Sequence, residues 1–77
     1  MSIEQEYENA FEYYFFMQDV MKAKEQYPKF RFGQVYFNLL IKVNEKVARK
    51  IYRTELDPYH YDNVKPETHE FVLENWK

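Results

Sequence analysis

Cysteine is absent from this chain of 77 residues, and glycine occurs once. The first absence excludes disulfides, thiolate metal ligands and a thiol nucleophile, so a domain this small depends on apolar packing or self-association for stability. Scarce glycine excludes the loops that cradle phosphates and the nucleophile elbow of hydrolases. No apolar run approaches the 18 or more residues of a membrane-spanning helix, and acids stand near the N-terminus where a secretion signal carries bases. A cytoplasmic protein is expected. Neither His60 nor His69 has a partner at a recognised metal-ligand spacing. Ser2 or Thr54 with a histidine and Asp57, or Asp57 paired with Asp62, are reactive groups without a motif that converges them. The inventory predicts a non-enzymatic protein with no cofactor, no metal site and no membrane partner.

Aromatic residues are what the chain has in excess. Seven Phe, eight Tyr and one Trp make up 21% of it, so large flat rings are expected to dominate one modest core. The run Tyr13-Tyr14-Phe15-Phe16-Met17 puts bulky apolar surface on more than one face of a helix. Either several short helices enclose these rings, or some of them contact another chain, with Tyr13, Phe16, Tyr36, Arg49 and Arg53 the candidates for a protein interface.

Net charge is −2, but the charges come in blocks. Residues 1–21 hold five acids and no base, residues 22–53 nine bases and two acids, and residues 54–77 two bases and six acids. Either the acidic stripe Glu4, Glu8 and Glu12 pairs with the basic centre inside one domain, or the bases lie open. In the second case Lys42, Lys46, Lys50 and Arg53 offer an electrostatic contact for RNA or DNA, with nearby tyrosines for stacking. Such binding is the alternative to a protein partner or homo-oligomer.

Periodicity predicts helices throughout. Ser2 and Gln5 form a possible capping box. Behind it Ile3, Tyr7, Ala10, Tyr14, Met17 and Met21 recur every three or four residues, and Phe11, Phe15 and Phe16 widen this apolar side, predicting a long first helix that turns it inward and ends at Tyr27-Pro28. Phe32, Val35, Tyr36, Leu39, Leu40 and Val43 describe a second, with Gly33 permitting a tight entry or close backbone packing. Asn44 caps a short third helix with Val47, Ala48, Ile51 and Tyr52 inward. Asp57-Pro58 suits a short helix or turn. A last helix is expected from near Pro66 to Trp76, with Val72, Leu73 and Trp76 inward. Residues 1–77 are thus expected to form a single all-α domain, a compact small bundle of one long and three or four short helices.

Arg31-Phe32-Gly33-Gln34, then Asn38-Leu39-Leu40, Thr54-Glu55-Leu56-Asp57-Pro58-Tyr59 and a terminal Trp76 resemble a family of very short, largely uncharacterised phage and bacterial proteins. The pattern is R-x-G-Q-x-x-x-N-x-L followed by a D-P-aromatic element, and the resemblance covers roughly residues 28–77. It implies a small accessory protein, acting in the host cytoplasm if phage-encoded, with no established activity or catalytic residue. Independently of that likeness, Arg31, Gln34, Asn38 and Asp57 are expected to form a structural polar brace. A protein partner, whether a host factor or a second copy, is the expected mode of action.

Overall fold

The computed structural model describes residues 3–77, so the Ser2 half of the expected capping box lies outside the described residues. Four helices follow in chain order: α1 (Ile3–Gln26), α2 (Phe32–Val43), α3 (Glu45–Ile51) and α4 (Pro66–Glu74). No strand occurs among the described residues. α1 packs on α2 and α4, and α3 closes the bundle against the same two helices.

Local chemistry sets the boundaries. Glu4 and Glu6 in the first turn of α1 and Lys24 in its last suit the helix dipole. The helix stops one residue before Tyr27-Pro28, where the Lys24 Nζ donates to the carbonyls of Pro28 and Phe30 at 2.9 and 2.6 Å. Asn44 separates α2 from α3 and joins both to the C-terminus. Its Oδ1 accepts from the Val47 amide at 3.4 Å, and its Nδ2 donates to the Trp76 carbonyl at 2.6 Å. Pro66 opens α4 at a position that needs no amide hydrogen. The last helix ends at Glu74, two residues short of the expected Trp76, although that indole still turns inward.

One core draws on every helix: Tyr13, Phe16 and Val20 meet Val35, Tyr36, Phe37 and Leu40, with Val47, Ala48, Ile51, Val72 and Trp76. Rings pack edge-on or tilted at its centre, with Phe16 5.3 Å from Tyr36 and 5.5 Å from Trp76, and Tyr13 5.5 Å from Trp76. Each Val, Leu, Ile or Phe side chain buried there contributes about 1.5–3 kcal/mol. Two expected inward residues point out instead: Val43 at the end of α2, and Tyr52, which lies just past α3.

The larger correction concerns α1. Its buried stripe is Asn9, Tyr13, Phe16 and Val20, whereas Ile3, Tyr7, Ala10, Tyr14 and Met21 of the expected inward stripe are exposed and Met17 is half-buried. The two stripes lie about 110° apart around a helix of 3.6 residues per turn. Polar partners explain which one turned in: Asn9 donates to the Leu73 carbonyl at 3.3 Å, and the Tyr13 hydroxyl finds Tyr36 and His69. Among the described residues Tyr7 and Tyr14, both exposed, have no such partners across the bundle.

A non-helical segment, residues 52–65, joins α3 to α4 and seats on the start of α2. Asp57 organises a turn here, with no helix: its Oδ2 accepts from the Arg53 amide at 2.8 Å and its Oδ1 from the Tyr59 amide at 3.0 Å. The first contact holds Arg53 at φ 59, the left-handed region that few side chains adopt. Arg31 Nε donates to the Tyr59 carbonyl at 3.2 Å, the Phe32 amide to Asp62 Oδ1 at 3.0 Å, and the Gly33 amide to the Tyr61 carbonyl at 2.9 Å. Of the expected brace, Arg31 and Asp57 act in this way. Gln34 and Asn38 make no side-chain hydrogen bond among the described residues; Asp62 takes the third bracing position, because an exposed carboxylate reaches the unpaired amides at the α2 N-terminus.

Candidate functional site

Folding leaves eight of the sixteen rings exposed. Four stand together on the outer face of α1: Tyr7, Phe11, Tyr14 and Phe15, each more than half exposed. With Ala10 they line an open, almost wholly apolar groove of about 490 Å³. Ile3 (70% exposed) and Met21 (55%) extend this surface towards both ends of the helix. A monomeric soluble protein seldom presents so much contiguous apolar side chain without a use for it.

Three of the five expected interface residues are elsewhere. Tyr13, Phe16 and Tyr36 belong to the core, where they meet α2, α4 and Trp76, so none is available to a partner. The aromatic run does contribute to an exposed surface, but through its other members, Tyr14 and Phe15, whose rings sit edge-on at 5.6 Å. Arg49 and Arg53 are exposed, on a different part of the molecule. Arg49 pairs with Glu45 at 3.4 Å, and the Arg53 guanidinium lies 5.2 Å above the Tyr52 ring.

Among the described residues no ion pair joins the acidic stripe to the basic centre. Glu8 and Glu12 instead take Lys77, at 3.1 and 3.0 Å. Glu12 and then Glu8 hold that ammonium above its ordinary pKa. Lys42, Lys46, Lys50 and Arg53 are all exposed and have no ion-pair partner among the described residues. Next to Arg53 a groove of about 490 Å³ opens between α2 and the 52–65 segment, lined by Phe37, Asn38, Tyr52 and Tyr59 among others. Aromatic walls beside a cation are the elements of base stacking with backbone attraction.

Inside the bundle the Tyr13 hydroxyl lies 2.7 Å from that of Tyr36 and 2.5 Å from His69 Nδ1. With Nδ1 of a neutral imidazole accepting, Tyr13 directs its hydrogen there and Tyr36 donates to the Tyr13 oxygen. Burial pushes the Tyr13 phenol up to about 12 and Tyr36 further in the same direction, so both remain protonated and neither is a poised general acid or base. Burial lowers the His69 pKa from 6.5. Protonating it costs the buried network its acceptor. The unfolded chain then binds more protons than the folded one below about 6.5, and stability present above that value is lost as pH falls towards the lower folded value. Thermal unfolding is expected to show this loss as pH falls below about 6.5, beginning above the ordinary carboxylate range. A smaller loss is expected for H69Q, which keeps an acceptor and does not titrate. An equal loss in H69Q would assign the pH dependence to another group.

His60 is exposed and stacks edge-on against Tyr59 at 5.2 Å. Among the described residues no three of His, Cys, Asp and Glu gather closely enough to hold a metal ion, and no helix is long and apolar enough to cross a membrane. No family model, curated protein or solved structure matches this chain, so its surfaces are read from their own chemistry.

Proposed function

We propose that the chain is a non-enzymatic accessory protein that acts by binding another protein through the outer face of α1. The observation that carries this reading is the exposed group Tyr7, Phe11, Tyr14 and Phe15 around one apolar groove. Rigid rings lose little conformational entropy on docking, and burying them in a partner supplies the few large contributions that dominate an interface. Resemblance to short phage and bacterial proteins supports a phage-encoded protein working in the host cytoplasm.

The rival reading is electrostatic binding of RNA or DNA. It is favoured by the exposed Lys42, Lys46, Lys50 and Arg53, without ion-pair partners among the described residues, the last of which lines the Tyr52 groove. We rank it second because the net charge is −2, so these four bases have no basic domain behind them.

Site-specific photo-crosslinking separates the two. A benzophenone side chain in place of Phe11 is expected to yield a protein adduct, and one in place of Tyr52 none that is nuclease-sensitive. Adding Phe15→Glu should abolish the Phe11 adduct. No adduct from position 11, with a nuclease-sensitive one from position 52, would replace the first reading by the second.

A further inference from the structure

We infer that the outer face of α1 joins two copies of this chain, with their first helices antiparallel. This rests on α1 being the interaction face and names what covers it. Ile3, Tyr7, Ala10, Tyr14, Met17 and Met21 follow one another at alternating steps of four and three residues, the seven-residue repeat of a helix–helix seam. That seam runs along most of a 24-residue helix, and the bundle leaves it open: only Met17 is half-buried.

Side-chain size selects the direction. In a parallel pair each seam residue meets its own copy, setting Tyr7 on Tyr7 and Tyr14 on Tyr14 while Ala10 faces Ala10 across a gap. In an antiparallel pair the alternate positions face each other. Tyr14 then lies over Ala10 of the second copy, Tyr7 over the adaptable Met17, and Ile3 against Met21, so each layer matches a large group with a small or flexible one. The same register brings Phe11 beside Phe15 of the second copy.

Charge selects the same direction. Residues 1–21 carry five acids and no base, so a parallel pair stacks acid on acid. Reversing one helix sets Glu4 beside Lys22 of the second copy on the flank that holds Phe11. Lys24 is already committed to the Pro28 and Phe30 carbonyls, which leaves Lys22 as the available base in this half of the helix. Opposite ends of the two helix dipoles also come together.

The absence of cysteine makes the test direct, since any introduced thiol is unique. Sedimentation equilibrium of the purified full chain, from about 5 to about 500 µM, is expected to show a concentration-dependent dimer. Tyr14→Glu is expected to raise its dissociation constant at least about tenfold, because a charge then enters the seam. Its helical circular dichroism should be unchanged, since Tyr14 is exposed; Phe11→Glu tests the same flank should Y14E fold poorly. For direction, I3C and M21C proteins are mixed in a glutathione redox buffer. Antiparallel helices favour the mixed I3C–M21C disulfide, because two copies of position 3 then lie about 27 Å apart at 1.5 Å per residue, beyond the roughly 7 Å reach of a disulfide. A purified chain that is monomeric throughout, a dimer indifferent to both Y14E and F11E, or a predominance of I3C–I3C links would each overturn the inference. A monomer whose position 11 still crosslinks to a different protein would overturn this inference alone and leave the interaction reading standing.

Discussion

Gly33→Ala is expected to destabilise the fold by about 2–4 kcal/mol, a large part of the roughly 4–11 kcal/mol available to a domain of this length. A Cβ on Gly33 falls 1.9 Å from the Pro58 carbonyl oxygen and 2.6 Å from that of Tyr61. Both are backbone atoms, so no side-chain rotation relieves the overlap. The glycine does not have a positive φ, and the requirement for it is therefore one of space alone. Within a helix alanine is favoured over glycine by about 1 kcal/mol. That gain is outweighed because the 58–62 segment must lift away, weakening the Gly33–Tyr61, Phe32–Asp62 and Arg31–Tyr59 hydrogen bonds together. Each is worth about 0.5–1.5 kcal/mol.

At about 4–8 °C per kcal/mol, the thermal midpoint of G33A should fall by roughly 8–32 °C. Gln34→Ala, one residue along the same helix at a half-buried site without a side-chain hydrogen bond, is expected to shift it little. A G33A midpoint equal to that of the parent would mean that the 58–62 segment does not rest on α2.

The helices were readable from local signals because each such signal works over a few residues. Tyr27-Pro28, Asn44 and Pro66 mark boundaries through amides they lack or satisfy, and the single glycine marks the place where two backbones touch. The orientation of α1 was not readable in that way. Its sequence carries two apolar stripes, and counting apolar residues favours Ile3 to Met21 over Asn9, Tyr13, Phe16 and Val20. The choice was made by groups 23 to 64 residues away: Tyr36, His69 and the Leu73 carbonyl. A signal was nonetheless present. Strict four-three spacing is the narrow seam of a helix pair, whereas a helix docking on a globular core usually shows a broader face. The same reversal moved the interface candidates from Tyr13 and Phe16 to Tyr14 and Phe15. For the basic segment, like charges at Lys42, Lys46 and Lys50 implied an acidic counterpart; Lys77, remote in sequence, had already taken Glu8 and Glu12.

Tyr13→Phe is expected to destabilise the fold by about 2–4 kcal/mol although it removes a single oxygen. That oxygen joins two partners, so its loss leaves the Tyr36 hydroxyl, in a fully buried side chain, without an acceptor. His69 Nδ1 also loses its donor, but the half-buried ring can turn to water. Tyr36→Phe is expected to cost less, about 0.5–1.5 kcal/mol, because Tyr13 keeps His69. The combined Y13F/Y36F variant should be at least as stable as Y13F, since the orphaned hydroxyl is gone and two rings of nearly the same shape remain beside Phe16 and Trp76. Urea unfolding of the four proteins measures the coupling directly. Additive costs would show that the two hydroxyls do not act on each other, and a Y36F variant less stable than Y13F would place the essential acceptor on Tyr36. The coupling also bears on the outer face. If the interior network is what turns Tyr13 inward, a loss of that network weakens the preference that leaves Tyr7 and Tyr14 outside. Y13F is accordingly the interior substitution expected to alter dimerisation, and Y36F at equal folded fraction is expected to leave it unchanged.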